Sequence, residues 1–297
     1  MDIKDLIIPD FSVDLFPTLK VYSNALGQWE SVYRGDGYGL AGIRHHQSGD
    51  GIRRIAWKAT AKRGELMVRE TYSERSFSVL IVVDRSPRMG AYDLEKLLFI
   101  KTATGAIING AQSRNLALGF LDWAKGKEHY RRPQEGHAHA FKVRKSTTNR
   151  NFLAVDDNVN LQLTRLKDFK KHLPKGTMLF LFSDFFVLPA EELIIEIAKS
   201  FDFHPVIVQH PIWEKDFPEI EGTLSFAEPL TNEIAEAFFT LNQSRSLAKK
   251  HRQRYADIVS FFESMEINPI TLTTSDEAEC ERSFAFWSNE RSLHRVR

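Results

Sequence analysis

Cysteine is almost missing. The one thiol in 297 residues, Cys280, leaves no intrachain disulfide to form, which suits a reducing compartment. No His-bearing motif surrounds it, so it reads as a structural thiol and not as a nucleophile. A charge excess is missing too. Forty Lys and Arg against 39 Asp and Glu give a formal net charge of +1. That removes any chain-wide pull toward nucleic acid or anionic lipid and leaves only local patches to consider. No apolar run exceeds the five residues of Val79–Val83, far short of the ~20 that a membrane helix needs. The start, "MDIKDLIIPDF", is acidic and lacks the long apolar core of a signal peptide. The expectation is a cytoplasmic protein without direct membrane insertion. There is no G-x-x-x-x-G-K-[ST] loop and no G-x-S-x-G elbow, and Gly35, Gly37 and Gly39 lack the strand-before, helix-after setting of a dinucleotide loop.

What is present is a strand–helix alternation. "FSVLIVVD", "LALGFLDWA" (116–124), "MLFLFSDF" (178–185), "HPVIVQH" (204–210) and "NPITLTT" (268–274) read as strands, the most apolar of them covered on both faces. Helical spacing is expected over 91–113, within 151–172, in "AEELIIEIAKSF", over 232–265 as one long helix or a broken pair, and over 276–290. "HYRRP" and "HAFKVRK" suggest a hairpin, which would put His137 and His139 on one face of a strand. Ahead of this, 33–48 is turn-rich. "GDG" at 49–51 marks a turn, and 52–63 has helical spacing with Asp50 as N-cap and Gly64 as stop. "ELMVRET" then alternates as an edge strand, with Leu66 and Val68 on one side. Such alternation implies a doubly wound, mainly parallel sheet with helices on both faces. The expected division is a small β-rich N-terminal subdomain, 1–75, and an α/β domain, 76–297.

Two strands close on aspartates, Asp84 and Asp184, where ligands of open α/β sheets collect. Asp84-Arg85-Ser86-Pro87-Arg88 resembles the D-x-S-x-S motif of von Willebrand factor A domains, whose metal-ion-dependent adhesion site holds Mg²⁺ through hard oxygen ligands. Arg88 stands where that motif has its second serine. Thr147, Thr148 and Thr164 flank the region of the distant threonine, but "DDNVNLQL" lacks the glycine–threonine–aspartate turn. Asp84, Ser86 and Asp184 remain as a degenerate metal site. In the reading without a cofactor the two carboxylates bind loop N–H groups, and Arg88 substitutes for the ion's charge. Mg²⁺ is the one cofactor the resemblance raises.

Upstream lies a basic segment in which Arg44, Arg53, Arg54, Lys58, Lys62 and Arg63 are opposed only by Asp50. The spacing of Arg54, Lys58 and Lys62 would align them on one helix face beside Trp57. The run "IRHHQSGDGIRRIAWKATAKRGELMVRET" followed by "FSVLIVVDRSPRMG" resembles the signature of the domain-of-unknown-function-58 family, carried here by Arg44, Gly49, Asp50, Arg53, Ile55, Trp57, Ala61 and Arg63. Ala56 and His46 depart from it, where aspartate and an aromatic residue are usual. The resemblance implies a von Willebrand A-like α/β fold and action beside a MoxR-type AAA+ ATPase, as an adaptor or co-chaperone-like partner. It implies no catalytic activity.

The expected function is therefore a non-enzymatic protein–protein interaction module whose partner is such an ATPase or its client. Its contact residues would be Asp84, Ser86, Arg88 and Asp184 at the sheet end, and Arg44, Asp50, Arg53, Arg54, Trp57, Lys58, Lys62 and Arg63 in the basic segment. No nucleic-acid module is recognised. The alternatives are a metal-dependent phosphoesterase or nuclease using Asp84 and Asp184, and a purely structural assembly subunit.

Overall fold

The computed structural model describes residues 8–16, 26–47, 50–75, 77–91, 94–150, 152, 155–174, 176–227, 231 and 233–294. A long strand, β1 (Leu26–His45), pairs antiparallel with β2 (Met67–Arg75) in a sheet of their own. The glycines at 35, 37 and 39, expected in turns, lie within β1. The ladder is irregular there, with register shifts between Gly35 and Gly42, and such irregularities are where a strand tolerates glycine.

The expected helix over 52–63 is two pieces. Ile52–Arg54 forms one 3₁₀ turn and α1 (Trp57–Arg63) begins afresh. Ile55 breaks the run by bridging to Val68, and the Ala56 N–H donates to the Met67 carbonyl at 2.7 Å. Tertiary pairing thus overrides the local 3.6-residue period. Gly64 does stop the helix, with φ at 74°, a conformation that glycine adopts without strain. Asp50 is not the N-cap. Nor do Leu66 and Val68 share a side, since Leu66 is exposed while Met67 and Val68 are both buried.

The central sheet runs β10 (Ile270–Leu272), β7 (Asp202–Val208), β6 (Met178–Ser183), β3 (Ser78–Val83), β4 (Ala117–Ala124), β5 (Lys127–Gln134). All neighbours are parallel except β4 and β5. A two-residue turn at Lys125-Gly126, both with positive φ, joins those two, as tight hairpins require. "HYRRP" therefore pairs back onto "LALGFLDWA". Its expected partner forms a helix, α3 (His137–Thr147), which buries Ala140, Val143 and Thr147 at helical spacing.

β3 shows why its sequence is uninterrupted by polar residues. Val79, Ile81 and Val83 face one core with α2 (Glu95–Ser113) and α7 (Glu277–His294). Leu80 and Val82 face another with α4 (Asn158–Phe169), α5 (Glu191–Ala198) and α6 (Leu241–Glu263). The architecture is the expected α/β class, a mostly parallel six-stranded sheet with helices on both faces. The segment expected to be helical from 232 begins instead as β9 (Ile234–Phe239), paired antiparallel with β8 (Gly222–Ala227). Helix α6 starts only after Thr240. The Thr240 Oγ1 accepts from the Gln243 N–H, and Gln243 Oε1 accepts from the Thr240 N–H at 2.9 Å, a reciprocal capping box.

No helix among the described residues is long and apolar enough to cross a membrane. Cys280 is buried, and burial, followed by nearby acidic side chains, pushes its thiol up to about 11, as befits a structural thiol.

Residues 8–16 lie along α2. The Val13 N–H donates to the Ala106 carbonyl at 3.1 Å, and Asn109 Nδ2 donates to the Pro9 and Phe11 carbonyls. Gly110 permits this approach, since a Cβ there would lie 2.1 Å from the Val13 carbonyl oxygen. We expect Gly110→Ala to lower stability by about 1–3 kcal/mol in urea unfolding. Gly51→Ala, with open space around it, should stay within about 0.5 kcal/mol of the parent.

Candidate functional site

From β3 the chain proceeds to β4 on one side and later returns to β6 on the other. The carboxyl ends of β3 and β6 therefore flank the point where the winding reverses, the place where such sheets form a crevice. Asp84 follows β3 and Asp184 follows β6, and each is only 2% exposed. The Asp84 N–H donates to the Phe182 carbonyl at 2.9 Å, which carries the ladder one residue past the strand. Three donors satisfy the Asp84 carboxylate: the Ser86 N–H at 2.8 Å, the Ser86 hydroxyl at 3.2 Å and the Ser183 hydroxyl at 2.7 Å. The Phe186 N–H donates to Asp184 Oδ1 at 3.0 Å. Burial first, then the charge of Asp184, pushes the Asp84 carboxyl up to about 6. The two carboxylates thus converge and bind loop N–H groups.

The nearest positive charge is not Arg88. It is Lys96, in the first turn of α2, with its side chain 0% exposed. The ammonium donates to Glu214 Oε1 at 2.6 Å and to Asp184 Oδ2 at 3.3 Å. Glu214 sits in a wide turn after β7 (Pro211–Lys215), and its Oε2 accepts from the His210 N–H at 2.8 Å. The His210 Nδ1 accepts from the Ile212 and Trp213 N–H groups. Its Nε2 therefore carries the proton and reaches Glu95 at 2.5 Å.

Arg88 is more peripheral. Its side chain is 25% exposed, its Nε lies 3.8 Å from Asp184 without a hydrogen bond, and its guanidinium stacks on Phe186 at 4.4 Å. Arg254, from α6, lies against the same ring at 4.9 Å and donates to the Glu214 carbonyl at 2.6 Å. Arg88 does pair with Asp184, at 3.8 Å, but it is not the only cation there. Lys96 holds the closer position, because α2 aims it under the sheet end.

A second buried cation braces the loop after β3. Arg85 donates to Asp122 Oδ2 at 2.9 Å and to the Asn149 and Ser146 carbonyls, while its own N–H donates to Asn158 Oδ1. Gln162 Nε2 donates to the Val83 carbonyl at 2.7 Å. Thr147, Thr148 and Thr164 bond carbonyls one turn back in or beside their own helices. Asn158 and Gln162 of "DDNVNLQL", unassigned in the sequence, secure the loop instead.

The donor set does not fit a divalent ion. Both Asp84 oxygens are engaged, and an ammonium and a guanidinium face Asp184, where an ion's positive charge would be repelled. Among the described residues no group of three His, Cys, Asp or Glu side chains is arranged to hold a metal. His137 and His139 lie on a helix and bond Gln112 and the Leu118 carbonyl.

Asp84, Ser86 and Asp184 are buried, and the surface beside them is formed by Arg88 and the half-exposed Phe186.

The basic-segment residues form their own cluster. Arg44 clasps Asp50 through two bonds of 2.7 Å and Glu70 through one of 3.0 Å. The Arg44 hydrogen bonds, then the Gln47 N–H, bring the Asp50 carboxyl down to about 2. Both residues are therefore internal braces. Arg53, Arg54, Trp57, Lys58, Lys62 and Arg63 are exposed, but the break at Ile55 takes Arg54 off the helix carrying Lys58 and Lys62.

A protein-family model described as "Protein of unknown function DUF58" matches residues 42–257, well over half of the chain. The chain belongs to the DUF58 family. No curated protein matches it. The matched span of this DUF58 protein holds both the Arg44–Asp50 clasp and the Asp84–Lys96–Asp184–Glu214 cluster.

Because the folded protein raises the Asp84 pKa above its unfolded value, this group costs no stability at low pH. Its cost grows as pH rises from about 4 through about 6; burial raises the Glu214 pKa as well, with the same sign. The buried His204, whose pKa burial lowers to about 4, contributes the opposite sign over about the same range, so Asp84 is read from the difference between parent and variant. In urea unfolding at a series of pH values Asp84→Asn should gain stability relative to the parent as pH rises from about 4 through about 6, and parallel curves would contradict the assignment.

Proposed function

We propose that this protein is a non-enzymatic protein–protein interaction module of the cytoplasm, an adaptor or co-chaperone-like partner of a MoxR-type AAA+ ATPase or of that ATPase's client. One observation carries this reading. The carboxylates at the sheet end are already satisfied, by loop N–H groups, two serines and the buried Lys96. A buried and neutralised Asp84–Asp184 pair is poorly placed to activate water or grip a catalytic ion, which favours a binding face over the phosphoesterase alternative. What the site offers outward is a guanidinium lying on an aromatic ring, Arg88 on Phe186, a residue pair of the kind that dominates protein interfaces.

In this reading the adhesion-type site has exchanged its ion for side chains, so recognition is independent of divalent metal. The test uses a purified MoxR-type ATPase from the same genome, flowed over the immobilised protein. Affinity should be unchanged by EDTA and should fall about tenfold or more for Arg88→Glu, the loss of a central charged anchor. Binding abolished by EDTA, or untouched by Arg88→Glu, would contradict the proposal.

A further inference from the structure

Residues 51–64, "GIRRIAWKATAKRG", carry five cationic side chains and no acidic one. Of the carboxylates around them, Asp50 and Glu70 are clasped by Arg44, and the exposed Glu65 contacts His45 at 3.0 Å. Among the described residues Arg53, Lys58, Lys62 and Arg63 have no ion-pair partner. The other basic stretch, in α6, contrasts with this. There Arg252 pairs with Asp216 at 2.8 Å and with Glu219, and Arg245 also pairs with Glu219.

The basic segment also exposes two large apolar side chains, Ile52 at 76% and Trp57 at 61%. Its base is fixed. Ile55 and Ala56 are buried, Ile55 bridges to Val68, and the Met67 N–H donates to Thr60 Oγ1 at 3.0 Å. Charges of one sign around exposed apolar side chains on a rigid support are what an interface leaves behind when its partner is absent.

We infer that the 52–63 face docks a short acidic segment of a partner protein, one that alternates carboxylates with an aliphatic or aromatic side chain to lie on Trp57 and Ile52. Charge complementarity names the carboxylates, and the two exposed apolar residues name the anchor. Nucleic acid fits less well. The net charge of +1 supplies no wider field for a polyanion, and an aliphatic anchor has no counterpart on it.

The inference is independent of the sheet-end face, and its test does not use the ATPase. The probes are two fluorescent synthetic peptides of Glu and Asp, equal in charge, one with a central leucine and one without. A single-stranded DNA of the same length is the third probe, and binding is read by anisotropy. Lys58→Glu/Lys62→Glu should weaken peptide binding about tenfold or more, whereas Lys249→Glu/Lys250→Glu on α6 should leave it nearly unchanged. Trp57→Ala should weaken binding of the leucine peptide and leave the leucine-free peptide unaffected. No peptide binding, equal losses for the two charge reversals, equal effects of Trp57→Ala on both peptides, or tighter binding of the DNA would each overturn the inference.

Discussion

The sheet end depends on one ammonium group. Lys96 Nζ lies between Asp184 and Glu214 and so joins α2 to the loop after β6 and to the turn after β7. Without it, two carboxylates would share a buried pocket with Asp84, and the Arg88 guanidinium, 3.8 Å from Asp184, would be left as the counter-charge. Breaking such a pair by removing one partner typically costs about 3–5 kcal/mol, mostly through the charge left uncompensated. Arg85 plays the matching part on the far side of β3, where Asp122 and two carbonyls hold it. The loop that in an adhesion site would be organised around an ion is here organised by two buried side-chain cations.

The sequence made the sheet legible because its central strands are buried on both faces and admit no polar interruption. "VLIVV" and "MLFLF" could be little else. The two aspartates were legible for the complementary reason, as charges are tolerated only once a strand leaves the core. Lys96 was not legible as a site residue. Within "LEKLLFIK" it reads as a solvated helix lysine, although Ile100, Ala103 and Ile107 share its helical face. The break at Ile55 was hidden because a bridge to Val68, distant in sequence, competes with the helical period. The start of α6 was visible in principle, since Thr240 and Gln243 have capping-box spacing.

The exposed surfaces have a common logic. At the sheet end, buried charges are neutralised internally, and Arg88 faces outward with Phe186 against it and the exposed Asp156 beside it at 3.9 Å. On the 52–63 segment the reverse holds. Asp50 and Glu70 are drawn away by Arg44, and the cations of this segment stand beside Trp57. Both arrangements spend their acidic groups on internal order and present cations with aromatic rings to solvent. That pattern accounts for a near-neutral chain that still carries locally basic faces.

The most direct measurement is a crystal structure determined from crystals soaked in millimolar manganese, with diffraction recorded to reveal anomalous scattering. The account predicts the Lys96 ammonium in hydrogen-bond contact with both Asp184 and Glu214, and no manganese beside either aspartate. A manganese ion ligated by Asp84 and Asp184, with Lys96 displaced from the pocket, would contradict it.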